Sequence, residues 1–162
     1  MTSESGVGRI LIFACGNPSR GDDALGPLLI DRLSLDPDLA RRGIETLTDF
    51  QLQIEHVLDL QGREHVVFVD AAVSGPEPFT FLPLRPSPEA SFSTHAVAPG
   101  VLLTLFRQVT GKTPPPARLL AIRGFEFALG APLSEPASAN LDRAARFLLH
   151  LLRSDAIVGG SD

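Results

Sequence analysis

The sequence has few cysteines, no basic cluster and no long apolar segment, and each absence excludes a class of protein. Cys15 is the only cysteine among 162 residues, so neither an intrachain disulfide nor a cysteine-based zinc site can form. Lys and Arg number 14 against 19 Asp and Glu, which gives a net charge of -5, and no run of basic residues forms a stripe. Nucleic acid is therefore not expected as a partner.

Membrane and secretory signals are also missing from the sequence. No segment reaches the roughly 18 consecutive apolar residues that indicate a membrane-spanning helix. The N-terminal residues Met1–Ser5 contain an acid where a secretory signal carries Lys or Arg, and the apolar run Ile10–Ala14 is too short for a signal core. We therefore expect a cytoplasmic protein with no membrane partner.

The length and the apolar pattern predict the fold class. A chain of 162 residues, 44% of them hydrophobic, is large enough for one domain with a continuous core. Short apolar runs alternate with helical patterns, which favours an α/β fold. We expect a single-domain three-layer sandwich, with about five strands in a mostly parallel twisted sheet and helices on both faces. The core should span about residues 9–153, and residues 1–8 and 154–162 should be flexible.

The individual elements follow from local signals. Strands are predicted at residues 9–15, 44–48, 65–71, 79–84 and 119–122, and helices at residues 24–33, 53–60, 99–109 and 135–152. The strand at 79–84 follows a short Ser-Gly-Pro connection, which indicates an antiparallel orientation. Pro99 is expected to open its helix, and Ser134 is expected to cap the last one.

The loop after the first strand has the spacing of a phosphate-binding loop but the opposite charge. Gly16 and Gly21 form a G-x-x-x-x-G pattern, yet Asp22 and Asp23 stand where such a loop carries Lys and Ser or Thr. Because two carboxylates repel phosphate, the loop should face a cation. Either acid could instead simply cap the following helix, and in that role Asn at position 22 should be tolerated.

Three candidate ligands fall where open α/β sheets bind ligands, at the carboxyl ends of the strands. Asp23 follows the first strand, Asp70 ends the third, and His95 lies in the loop after the fourth. Each of the three also has a simple structural explanation when it is taken alone. Asp23 could cap a helix, Asp70 could terminate its strand, and His95 could be a solvated loop histidine. Together, two carboxylates and one imidazole suit Ni²⁺, Zn²⁺, Mn²⁺ or Fe²⁺. Neighbouring carboxylates repel unless a cation joins them, so the set predicts a metal site.

Three motifs in this order resemble the [NiFe]-hydrogenase maturation proteases. Gly16-Asn17 followed by Gly21–Pro27 is similar to the family's G-N-x-x-x-x-D-D/E-x-x-G opening. Val69-Asp70-Ala71 is similar to its strand ending in D-A, and Ser93-Thr94-His95 to its S-x-H loop. With a weaker match at residues 123–134, the resemblance covers about residues 9–150.

The resemblance implies an endopeptidase that removes a short C-terminal extension from the hydrogenase large subunit after nickel insertion. Its partner would be the nickel-loaded large-subunit precursor. Asp23, Asp70 and His95 would contact the nickel and serve as the catalytic residues. Since the precursor would supply the nickel, the resting enzyme should be largely metal-free.

The resemblance also implies residues that bind the substrate. Asp49 matches a family acid associated with nickel or substrate recognition, and Asn17 and Gln51 are the other candidate substrate-binding residues. Relatives often have D-G-G where Asp49-Phe50-Gln51 stands in this chain. We therefore expect the substrate preference to differ from theirs.

Other classes of protein remain open from the residues alone. A non-catalytic nickel-binding chaperone of hydrogenase assembly could use the same three ligands. A phosphorylase-like enzyme could use a similar scaffold, although the acidic first loop argues against a phosphorylase.

Cys15 ends a buried strand and is expected to pack as a small apolar group rather than act as a nucleophile. His56, His65 and His150 fall on helix or strand positions and are interpreted as structural or surface residues.

Overall fold

A five-stranded sheet forms the centre of the computed structural model, which describes residues 8–87, 97–154 and 156–159. The strands are β1 (Ile10–Cys15), β2 (Ile44–Asp49), β3 (His65–Ala72), β4 (Phe79–Leu84) and β5 (Ala117–Arg123). Their order is β2-β1-β3-β5-β4, with β4 antiparallel to β5 and the other neighbours parallel. The helices are α1 (Leu25–Leu33), α2 (Asp38–Arg41), α3 (Pro99–Thr110), α4 (Glu135–Arg153) and α5 (Ala156–Gly159), and 3₁₀ helices run over Gly21–Ala24 and Ile54–Leu60.

The two faces of the sheet bury separate apolar cores. Alternate residues of β1 point to opposite faces, so Ile10, Ile12 and Ala14 pack with α1 and α4, while Leu11, Phe13 and Cys15 pack with α3 and the second 3₁₀ helix. Full burial of an Ile, Leu or Phe side chain contributes about 1.5–3 kcal/mol. The predicted three-layer α/β sandwich is therefore confirmed.

The helix ends follow the predicted sequence signals. Ser134 caps α4, because its hydroxyl oxygen accepts a hydrogen bond from the N–H of Ala137 at 3.3 Å. Pro99 occupies the first turn of α3, and Gly111, the residue after this helix, caps its C-terminus in the left-handed region, at φ 71°.

Three features differ from the sequence-based expectations or extend them. The helix predicted from residue 24 begins earlier, as the 3₁₀ turn Gly21–Ala24 that leads into α1. The antiparallel orientation of β4 is confirmed, and its partner is β5, which lies between β3 and β4. The tail from residue 154 is predicted to be flexible, and within it Ala156–Gly159 forms a helical turn whose Ile157, only 1% exposed, packs in the core beside α4. Residues 1–7, also predicted to be flexible, lie outside the described residues.

The register of the parallel strands brings acidic residues to one edge of the sheet. Cys15 of β1 pairs with Asp49 of β2. On the other side Ala14 pairs with Val69 of β3, so the next residue along, Asp70, lies beside Cys15.

Within the described part of the chain, none of the helices combines the length and the apolar character needed to cross a bilayer.

Candidate active site

A cleft of about 430 Å³ opens at the carboxyl ends of β1 and β3. Cys15, Phe68 and Leu119 contribute apolar surface from the sheet, and residues 97–99 contribute the start of α3. Residues 50–52, which follow β2, form a further side and are called the cleft wall below. Asp23 and Asp70 add two carboxylates to this largely apolar lining. Concave apolar sites with a few convergent polar groups are the usual form of ligand sites.

The first loop turns back on itself and delivers Asp23 to the cleft. Gly16 has a φ of 151°, and a Cβ atom at this position would overlap the carbonyl oxygen of Asp23. This close approach lets the backbone N–H of Asn17 donate to Asp23 Oδ2 at 2.7 Å. The side-chain oxygen of Asn17 accepts a hydrogen bond from the N–H of Ser19 at 2.9 Å, which fixes the turn. Asn17 therefore shapes the loop that holds Asp23.

Asp70 projects from β3 into the same cleft. Its Oδ1 accepts a hydrogen bond from the N–H of Ala71 at 2.8 Å. The residue is exposed to solvent, but the surrounding protein of the cleft partly desolvates its carboxylate. This desolvation raises the pKa of Asp70 to about 6, against the opposing effect of the Ala71 N–H and with a further rise from the charge of Asp23. The electrostatic coupling indicates that the two carboxylates face a shared space.

The cleft wall is held at both ends by side-chain hydrogen bonds. Asp49 Oδ1 accepts a hydrogen bond from the N–H of Phe50 at 2.7 Å, and Asp49 Oδ2 lies 3.2 Å from Nε2 of His56. Nδ1 of His56 accepts a hydrogen bond from the N–H of Gln53 at 2.8 Å. Gln51, a predicted substrate-binding residue, is exposed in the wall. From the sequence His56 is interpreted only as a structural or surface residue, although its place three residues after Gln53 is a capping-box spacing that could have indicated this contact.

The same architecture occurs in several solved structures. The hydrogenase maturating endopeptidase HybD from E. coli is 23% identical, with 91% of this chain and 93% of that chain covered and a TM-score of 0.71. The [NiFe] hydrogenase maturation protease HycI from Thermococcus kodakarensis KOD1 is 26% identical, with 92% and 95% covered and a TM-score of 0.65. The hydrogenase 2 maturation peptidase from Thaumarchaeota archaeon SCGC_AB-539-E09 is 25% identical, with 89% and 97% covered and a TM-score of 0.63.

The chain has the hydrogenase maturation endopeptidase fold. The resemblance inferred from the motifs is confirmed, and so is the prediction that the chain is a peptidase. No family model and no curated protein matches the sequence.

Two of the three predicted nickel ligands meet in this endopeptidase-like cleft. Asp23 and Asp70 both line it, and each keeps one carboxylate oxygen without a hydrogen-bond partner among the described residues. The third, His95, lies outside the described residues. Within the described ranges, no three His, Cys, Asp or Glu side chains are arranged to hold a metal ion. The three-ligand set therefore stays a prediction.

Asp22 has a structural role that the sequence analysis did not foresee. Its side chain is fully buried and accepts hydrogen bonds from the backbone N–H groups of Phe125, Glu126 and Ser134, at 2.6, 2.9 and 2.7 Å. The Ser134 hydroxyl donates to it as well, at 2.7 Å. Burial alone would raise the pKa of Asp22, but these donors stabilise the charged form and hold the pKa below its ordinary value. Asp22 therefore joins the first loop to the segment before α4, and it does not cap its own helix.

Cys15 lies in the cleft but lacks the properties of a nucleophile. The residue is 8% exposed. Burial, together with the charges of Asp70, Asp49 and Asp23, raises the pKa of the thiol to about 12. Since the thiolate is the reactive form, a thiol with this pKa is inert at neutral pH. The geometry thus agrees with the interpretation of Cys15 as a packing residue.

Proposed function

We propose that this chain is a cytoplasmic endopeptidase that removes the C-terminal extension from a [NiFe]-hydrogenase large-subunit precursor after nickel insertion. The observation that carries the proposal is the convergence of Asp23 and Asp70 in the cleft of a hydrogenase maturation endopeptidase fold. The [NiFe] hydrogenase maturation protease HycI from Thermococcus kodakarensis KOD1 shares this fold over 92% of the chain. These relatives support a protease role in hydrogenase maturation.

In this proposal the nickel ion belongs to the substrate. It would be held by thiolates of the precursor and would dock against Asp23, Asp70 and His95. The free carboxylate oxygens and the mutual repulsion of Asp23 and Asp70 support this assignment, because a divalent cation between them would stabilise both charged forms. The imidazole of His95 would complete a set of nitrogen and oxygen donors suited to nickel.

The proposed chemistry is hydrolysis of one peptide bond beside the docked ion. A divalent metal can polarise a carbonyl oxygen or lower the pKa of a bound water. The water oxygen would form a bond to the carbonyl carbon, the C–N bond would break, and the proton lost by the water would pass to the released amine. No covalent thiol intermediate is needed, which agrees with the high pKa of Cys15.

A substrate-borne nickel ion would make cleavage a checkpoint for assembly. A precursor without nickel would lack the group that Asp23, Asp70 and His95 recognise, so its scissile bond would not be located. Processing would therefore follow nickel insertion without any separate sensor.

Substitution of the three proposed ligands tests this function. Asp23→Asn, Asp70→Asn and His95→Ala should each lower the rate of processing of a nickel-loaded precursor, since loss of one polar group that acts at a reacting centre costs on the order of 100-fold. Asp31→Asn is the matched control, because Asp31 is exposed on α1, away from the cleft. Intact mass spectrometry would follow the truncation. Folded variants that process normally would contradict the three-ligand site, and a wild-type protein that binds nickel but never cuts would favour the chaperone.

A further inference from the structure

His56 contacts the residues that flank the cleft wall on either side. Its Nε2 lies 3.2 Å from Oδ2 of Asp49, the residue before the wall. Its Nδ1 accepts from the backbone N–H of Gln53, the residue after the wall, at 2.8 Å. One imidazole ring therefore joins the two ends of the three-residue segment 50–52.

The environment of the ring fixes its orientation and its tautomer. The ring packs against Phe13 in a T-shaped arrangement, with ring centroids 4.7 Å apart and planes at 77°, and the His56 side chain is only 12% exposed. Because Nδ1 accepts a hydrogen bond from an N–H, the neutral ring must carry its proton on Nε2. Nε2 is then a donor directed at the carboxylate of Asp49.

The two ends of the wall differ in how much they depend on the ring. At the Gln53 end, the backbone N–H of His56 also donates to the Gln53 carbonyl oxygen at 3.0 Å, so this end keeps a hydrogen bond without the imidazole. At the other end, Asp49 Oδ1 accepts from the Phe50 N–H, and Oδ2 has His56 as its partner among the described residues. The orientation of the Asp49 carboxylate, and through it of Phe50, therefore depends on Nε2.

Two side chains of the cleft wall are exposed to solvent and do not pack into either core. Phe50 is 64% exposed although it lines the cleft, and Gln51 is also exposed. Leu52, in contrast, is buried, and its carbonyl oxygen accepts from the N–H of Val97 at 3.1 Å. An exposed aromatic ring beside an exposed amide, on a backbone tied down at both ends, is suited to contact an extended peptide.

We propose that His56 is a positioning residue for the cleft wall. By joining Asp49 to Gln53, it holds Phe50 and Gln51 in place for the peptide segment that enters the cleft. The identity of that peptide rests on the proposed function, whereas the bridge itself rests on the contacts of His56. Without the contacts of His56, the cleft wall should become less ordered and peptide binding should weaken. The chemical step should stay nearly unchanged, because the wall contains neither Asp23 nor Asp70.

Two conservative substitutions separate the contacts of the ring. In His56→Asn, the side-chain oxygen can replace Nδ1 toward Gln53, but nothing reaches Asp49. In His56→Gln, the amide nitrogen can replace Nε2 toward Asp49. With nickel-loaded precursor, we expect His56→Asn to raise KM about tenfold with kcat within about twofold of wild type, and His56→Gln to restore KM to within about threefold. His150→Asn, on the exposed side of α4, is the control and should match wild type.

Hydrogen exchange tests the bridge without relying on peptidase activity. Amides of residues 49–52 should exchange faster in His56→Asn than in wild type, His56→Gln or His150→Asn, while the amides of β1 and β3 stay unchanged. If His56→Asn does not fold, His56→Phe replaces it, since it keeps a ring against Phe13 and removes both polar contacts.

The two readouts distinguish failure of the bridge from failure of the proposed function. A wild-type enzyme that cuts, combined with unchanged KM and unchanged exchange in His56→Asn, would overturn the inference and leave the function intact. A wild-type protein that does not cut would overturn the function and the peptide-binding role together. In that case faster exchange in His56→Asn would still support the bridge, and unchanged exchange would overturn it.

Discussion

The carboxylate of Asp22 lies 2.7 Å from both the backbone nitrogen and the hydroxyl oxygen of Ser134, a residue 112 positions further along the chain. Ser134 in turn caps α4 through the N–H of Ala137. One buried acid thus connects the loop that carries Asp23 to the start of α4. The position of the candidate ligand loop depends on this contact.

Asp22→Asn should destabilise the protein. Asparagine replaces one acceptor oxygen by an NH₂ group, which would face the N–H groups that now donate to the carboxylate. A buried donor left without an acceptor costs about 1–3 kcal/mol in the free energy of unfolding. Chemical denaturation of Asp22→Asn beside Asp31→Asn measures the effect. A stability equal to that of the Asp31 control would contradict this role, because the contacts of Asp22 with the segment before α4 would then contribute nothing to stability.

Asp70→Asn should become more stable than wild type as pH rises. The pKa of Asp70 is about 6 in the folded state and has an ordinary value of 3.8, so the unfolded state loses its proton first and wild-type stability falls between about pH 4 and pH 6. Asparagine has no such penalty and can still accept the N–H of Ala71. The melting temperature of the variant should exceed that of wild type at pH 7 and approach it near pH 4. A difference that does not change with pH would contradict the raised pKa.

Cys15→Ala should leave processing intact. The thiol is buried, its pKa is about 12, and its removal deletes one small packed group. We expect a loss of stability on the order of 1 kcal/mol. Processing rate and melting temperature should be measured on the same preparation. Loss of cleavage at an unchanged melting temperature would instead point to a thiol protease.

The purified resting protein should contain little metal. The proposed site offers two carboxylates and one imidazole, without a thiolate. Tightly held zinc usually has four protein ligands, or three protein ligands and a water molecule, and most of these ligands are Cys or His. Elemental analysis after mild purification gives the metal content directly. Near-stoichiometric zinc that resists chelation would indicate an ordinary metallopeptidase with its own resident ion.

The fold was predictable because its signals are local. The continuous apolar run of β3 and the proline at the start of α3 are visible within a few residues. The convergence of Asp23 and Asp70 was also predictable, since both follow the rule that parallel strands deliver their carboxyl ends to one edge.

Long-range contacts were not predictable in the same way. Asp22 looks identical to a helix cap until Ser134 is brought beside it, and nothing in the local sequence encodes that approach. The link between His56 and Asp49 depends on the turn between β2 and the second 3₁₀ helix, which directs the ring back toward the strand. From the sequence alone, therefore, neither the contact of Asp22 with Ser134 nor that of His56 with Asp49 could be predicted.

Processing by this protein should depend on the nickel carried by the precursor, and a paired incubation measures that dependence. Wild-type protein would be incubated with nickel-loaded precursor and, in parallel, with the same precursor prepared without nickel, and the intact mass of each precursor would be followed over time. We expect the nickel-loaded precursor to lose its C-terminal extension and the nickel-free precursor to keep its mass. Equal truncation of both precursors, or of neither, would contradict this expectation.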